Sequence, residues 1–86
     1  MDRAKLLVAD DDDVTLTMLD AALSAHHDVV AVTGGQAALV AAQKDPFDLV
    51  LLDVDMPDLD GYAACQALKA QAATADVPVL FLSARV

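Results

Sequence analysis

Asp53 closes the short apolar run Asp48-Leu49-Val50-Leu51-Leu52, and Asp10-Asp11 close another, Leu6-Leu7-Val8-Ala9. Two hydrophobic strands that each stop on acid, laid parallel and side by side, gather those acids at one edge of a sheet. That edge is where open α/β sheets keep their ligands. Two carboxylates about 5 Å apart, at an effective dielectric of about 20, repel by about 3 kcal/mol, or roughly two pKa units. A divalent ion relieves the repulsion, and a hard, oxygen-only site with an open face suits magnesium. A bound cation lets a phosphate dianion approach an aspartate that would otherwise repel it. An aspartate can then act as a nucleophile and form an acyl phosphate. Ser83 ends a third apolar run, Val77 to Leu82, so its hydroxyl falls on the same edge and can donate to a phosphoryl oxygen.

The elements that must position these residues follow from the pattern. Lys5 to Ala9 reads as the first strand. Asp12 or Asp13 caps a helix running to about Ala25, with Leu16, Leu19 and Leu23 on one face and Met18 read as core. His26-His27 close that helix and suit its negative end; adjacent on a helix, they point about 100° apart and do not share a metal. Asp28 to Val32 is a second strand. Thr33-Gly34-Gly35-Gln36 fits a Thr-x-x-Gln capping box and opens a helix to about Lys44, broken by Asp45-Pro46-Phe47. Asp48 to Leu52 is the third strand, and the loop from Asp53 to Asp60 leads to a helix from about Tyr62 to Ala72 capped by Asp60. Ala64, Cys65 and Leu68 form its inner face, Thr74-Ala75-Asp76 is a turn, and Val77 to Leu82 is the fourth strand. Strictly alternating β and α elements imply a parallel sheet with right-handed crossovers. Nearly continuous apolar strands fit a sheet covered on both faces.

Composition narrows the function. The chain has 86 residues, enough for one domain, and is 57% hydrophobic but only 3% aromatic, so its core is built from Leu, Val and Ala. The net charge of −9, with no cluster of Lys or Arg, argues against direct contact with nucleic acid. The one cysteine, Cys65, excludes an internal disulfide and reads as a small helix residue facing inward. No apolar run approaches the length of a membrane helix, and a cytoplasmic location is the expectation. Gly34-Gly35 lacks the spacing of a dinucleotide loop. Asp55, Asp58 and Asp60 read as loop and cap residues through their side chains.

Three segments together carry a resemblance. Leu6-Leu7-Val8-Ala9-Asp10-Asp11-Asp12, the stretch from Asp48 to Gly61 with its Asp53-Val54-Asp55-Met56-Pro57, and Pro78-Val79-Leu80-Phe81-Leu82-Ser83-Ala84 resemble the receiver domain of two-component response regulators, over essentially the whole chain. The resemblance implies a flavodoxin-like doubly wound parallel sheet of order 2-1-3-4. It implies that Asp53 is the phosphoacceptor, served by a histidine kinase or a histidine phosphotransfer protein. It implies that Asp10 and Asp11 bind Mg2+, with the backbone carbonyl of Asp55 as a further ligand beside Asp53, and that Ser83 contacts the phosphoryl group. It makes residues 1–86 a receiver domain incomplete at the C-terminus, without the family's fifth strand, last helices and phosphate-pairing lysine, for which Lys44 and Lys69 are poor substitutes. The fourth strand is then an apolar edge able to pair with a second copy or a partner chain.

Two other readings compete. A haloacid-dehalogenase-like phosphatase also uses a strand followed by Asp-x-Asp, as in Asp53-Val54-Asp55, but Pro57 stands where its motif has Thr or Val. A phosphorylation-independent docking module would use the same fold without the chemistry. The receiver reading makes the chain a phospho-switch rather than an enzyme.

Overall fold

The computed structural model describes residues 3–82. Seven elements alternate: β1 (Lys5–Ala9), α1 (Asp13–Ser24), β2 (Asp28–Val32), α2 (Gly35–Lys44), β3 (Leu49–Leu52), α3 (Gly61–Lys69) and β4 (Val79–Phe81). All pairings are parallel and the strand order is β2-β1-β3-β4, as expected. The chain steps from β1 to β2 in one direction, then returns across β1 to β3 and β4. Right-handed crossovers in opposite directions put helices on opposite faces. Leu7, Ala9, Val50 and Leu52 form the core with Ala38 and Ala42 of α2 and Ala64 and Leu68 of α3. Leu6 and Val8 point to the other face, where α1 buries Leu16.

β1 lies between two neighbours and under helices on both faces, so Leu6 to Ala9 are all buried. The sheet thins outward. Leu49 and Leu51 are half-buried, and in β4, an edge strand among the described residues, Leu80 and Phe81 are 55% and 41% exposed. Phe81 packs its ring on Tyr62 of α3, 4.9 Å between centroids. No described helix is long and apolar enough to cross a membrane.

Several expectations need correction. Met18 is exposed rather than core, as is Val14 one turn before it, because α1 turns the Leu16 face inward. The capping box at Thr33 does not form: Gly34 is the N-cap of α2 and offers no side-chain bond. The histidines close α1 through their backbone, the N–H groups of His26 and His27 both donating to the Leu23 carbonyl at 3.2 and 2.9 Å. The helix stops at Ser24, and Arg3 takes the Ser24 and His27 carbonyls at 2.6 and 2.8 Å while its Nε pairs with Asp28 at 3.0 Å. α3 ends at Lys69 instead of Ala72, and β4 starts at Val79 instead of Val77. The Thr74 hydroxyl takes the Leu68 carbonyl, and the Lys69 ammonium takes the carbonyls of Ala75 and Val77. These bonds hold 70–78 in turns.

Candidate functional site

The register decides where the acids meet. Ala9 lies opposite Leu52, so Asp10 and Asp53 leave neighbouring strands at the same level. The Asp53 N–H donates to the Ala9 carbonyl at 2.9 Å, and the Asp10 N–H donates to Val32 at 3.2 Å. β1 and β3 flank the point where the strand order reverses, the place where such sheets bind ligands.

Asp10, Asp11 and Asp53 each offer a carboxylate oxygen, and these oxygens all lie within 4.8 Å of one another. It is the sole such group of acids, histidines or cysteines among the described residues. Asp10 and Asp53 are 6% and 8% exposed, whereas Asp11 is open to solvent. Burial pushes the Asp10 carboxyl above its ordinary value. The Asp12 N–H, donating to Asp10 Oδ1 at 3.0 Å, pulls the other way, and the charges of Asp53 and Asp11 add to the rise. The cluster therefore keeps two buried acids that repel each other, with one exposed acid at the mouth. All donors are hard oxygens, and the charge calls for a small divalent cation. These residues fit Mg2+.

The neighbouring acids are employed otherwise. Asp12 caps α1, accepting from the Val14 N–H at 3.2 Å and the Thr15 hydroxyl at 2.8 Å. Asp60 caps α3 through the Ala63 N–H at 2.8 Å. Asp55 exposes its side chain, and its N–H reaches Asp53 Oδ1 at 3.4 Å.

The loop between β3 and α3 is shaped by a close approach. A Cβ at Gly61 would lie 2.4 Å from the Asp53 carbonyl oxygen and 3.0 Å from Val54 Cα, and the Gly61 N–H donates to the Val54 carbonyl at 2.9 Å. Only a residue without a side chain lets α3 start against the backbone of Asp53. Met56 is buried in the core beneath the loop.

Around the acids lies a cleft of about 420 Å³, bordered by Asp10, Asp11, Asp53, Asp55, Thr15 and Leu82. A smaller hollow of about 270 Å³, lined by Ala42, Phe47, Val50 and Val77, sits at the other end of the strands and gathers no such acids. Ser83 lies outside the described residues; Leu82, its predecessor, donates its N–H to Leu52 at 2.8 Å. The structure thus brings together Asp10, Asp11 and Asp53, with Asp55 beside them. Asp58 is the loop and cap residue the sequence suggested, but sequence reasoning missed its partner: the carboxylate spans from this loop to α2. An acid two residues before an N-cap acid carries no local signal for such a reach.

Comparison with known proteins gives a consistent picture. Residues 6–86 match the family model described as the response regulator receiver domain. The response regulator PleD of Caulobacter vibrioides is 38% identical over 82 residues, 94% of this chain but 18% of that protein. The probable transcriptional regulator ycf27 of Porphyridium aerugineum is 38% identical over 85 residues, 98% of this chain and 34% of its own length. The chain thus spans about an eighth to a third of the length of the curated relatives it matches. Among solved structures, chemotaxis response regulator CheY4 of Vibrio cholerae superposes with a TM-score of 0.93 at 31% identity, covering 99% of this chain and 72% of that one. The receiver domain of the sensor histidine kinase PA1611 from Pseudomonas aeruginosa, solved with a magnesium ion coordinated in its active-site cleft, superposes with a TM-score of 0.92 at 30% identity. It covers 98% of this chain and 70% of that one.

Proposed function

From the premise that this chain belongs to the response regulator receiver domain family, we propose that Asp53 accepts a phosphoryl group from a phosphohistidine of a histidine kinase or histidine phosphotransfer protein. The observation that carries the reading is the convergence of Asp10, Asp11 and Asp53 at the ends of β1 and β3. An Asp53 carboxylate oxygen forms a bond to phosphorus as the donor's P–N bond breaks, and that electron pair stays on the imidazole nitrogen. The product is an acyl phosphate on Asp53. The Asp55 N–H on Oδ1 holds the carboxylate in orientation. The side chains of Asp10, Asp11 and Asp53 and the backbone carbonyl of Asp55 would hold Mg2+. Bound there, the ion supplies positive charge against the phosphoryl oxygens. Ser83 is proposed to donate to one of those oxygens.

Residues 1–86 are proposed as receiver sequence, acting as a cytoplasmic phospho-switch whose only chemistry is its own phosphorylation and dephosphorylation. The phosphatase and docking-module readings find no support in the comparisons. Self-pairing through β4 stays a proposal that rests on its exposed Leu80 and Phe81. The test is beryllofluoride with Mg2+, a mimic of the acyl phosphate. The amide signals of Asp53 and Ser83 are expected to shift together. Unmoved signals would remove the phosphoacceptor role and leave a docking module.

A further inference from the structure

The loop carrying Asp53 and Asp55 reaches across to the N-terminus of α2, and Asp58 makes the joint. Its Oδ1 accepts from the Gly35 N–H at 3.2 Å and its Oδ2 from the Gln36 N–H at 3.0 Å. The first N–H groups of a helix have no partner within it, and a carboxylate satisfies two of them at the positive end of the helix. The Gln36 N–H, and then the Gly35 N–H, hold the Asp58 carboxyl below its ordinary value. The backbones are also pressed together: a Cβ on Gly35 would lie 2.4 Å from the Leu59 carbonyl oxygen. α2 therefore takes its cap from the loop instead of from Thr33.

The path back to the cleft is three residues long. Asp55 donates its N–H to Asp53 Oδ1 at 3.4 Å, and the loop's other end is tied by Gly61 to Val54. With Gly61 fixing one end and Asp58 fixing the far bend, residues 54–58 have little freedom to move their backbone relative to Asp53. Gly61 lies against the Asp53 backbone, whereas Asp58 bonds α2.

We infer that Asp58 is a positioning residue for the phosphoacceptor site: by anchoring the 53–60 loop on α2, it sets where Asp55 presents its backbone to Asp53 and to the cation. This inference rests on the proposed role of the acid cluster. It makes α2 and the loop one coupled unit, so a displacement of the α2 N-terminus is felt at Asp53.

The test compares Asp58→Ala, Asp58→Asn and Ala42→Gly in the full-length protein. Ala42 is buried near the far end of α2, so its replacement loosens the helix without touching the loop. Two quantities are read by NMR: the amide shifts of Asp53 and Asp55 without metal, and the apparent Kd for Mg2+. Asp58→Ala is expected to move both amides and weaken Mg2+ about tenfold, as loss of a group supporting metal ligands does. Asp58→Asn keeps one oxygen acceptor and falls between, and Ala42→Gly leaves both quantities in place. Unmoved amides and Mg2+ affinity in both Asp58 variants, or equal changes in Ala42→Gly, would overturn the inference. A wild-type protein that binds no Mg2+ would sink the proposed function instead, and the metal-free amide shifts would still decide whether Asp58 positions Asp53.

Discussion

Replacing Asp10 by Asn is expected to stabilise the metal-free protein, although Asp10 is a buried residue at the centre of the site. The oxygens of Asp10 and Asp53 lie within 4.8 Å, which at an effective dielectric of about 20 corresponds to a repulsion of about 3.5 kcal/mol. Exposed Asp11 adds about 1 kcal/mol at the dielectric of water. Burial, the first cause of the rise in the Asp10 carboxyl, adds to the cost of its charged form. Asparagine gives up the charge in the Asp12 N–H bond to Oδ1, a loss of about 1 kcal/mol. The balance is a gain of about 3 kcal/mol at neutral pH, or a Tm rise of roughly 15 °C for a domain of this size.

The sign with pH follows from the direction of the shift. A carboxyl raised in the folded state contributes its stability below the unfolded value of about 3.9 and loses it as pH climbs through the raised folded value. Asparagine mimics the protonated form. Its advantage should therefore be absent in acid, grow through that window and stay flat above it. Mg2+ at a hundred times its Kd adds about 2.7 kcal/mol to the wild type and less to a variant lacking one ligand, so the order narrows or reverses. Thermal melts followed by circular dichroism, with chelator or MgCl2 and across pH, read all of this. A metal-free Asp10→Asn protein less stable than wild type at neutral pH, or a gain indifferent to pH, would show that burial and the neighbouring acids do not penalise the Asp10 charge.

Asp11→Ala removes the exposed ligand and should weaken Mg2+ by at least about tenfold while raising the metal-free Tm by about 5 °C, since it relieves about 1 kcal/mol of repulsion on Asp10; calorimetric titration and a chelated thermal melt check it. Gly61→Ala would drive a methyl to 2.4 Å from the Asp53 carbonyl oxygen, and should cost at least about 2 kcal/mol and displace the Asp53 amide signal. A Gly61→Ala protein with wild-type stability and spectra would show that α3 can start elsewhere.

Much of the site was legible because its residues are local to strand ends. The bounds of β1 and β2 coincide with the apolar runs, and the acids that follow β1 and β3 meet because parallel register puts Ala9 beside Leu52. Asp12 and Asp60 were legible as caps because an N-cap bonds its own helix. What escaped is tertiary. Asp58 caps a helix 22 residues earlier in the chain, and Arg3 closes α1 from 21 residues before Ser24. The first displaces a plausible local partnership, Thr33 with Gln36, and the second adds to the local closure by the His26 and His27 N–H groups. The start of β4 was misplaced for the same reason, since Lys69 reaches forward to hold the Ala75 and Val77 carbonyls in a turn.

The most direct measurement is acetyl phosphate labelling of the full-length protein, with the label located by mass spectrometry, in wild type and Asp53→Asn, with Mg2+ or with chelator. One phosphoryl group per chain is predicted, on the peptide containing Asp53, and lost both on chelation and in Asp53→Asn. A label on another residue, or one that persists in Asp53→Asn, would contradict the account.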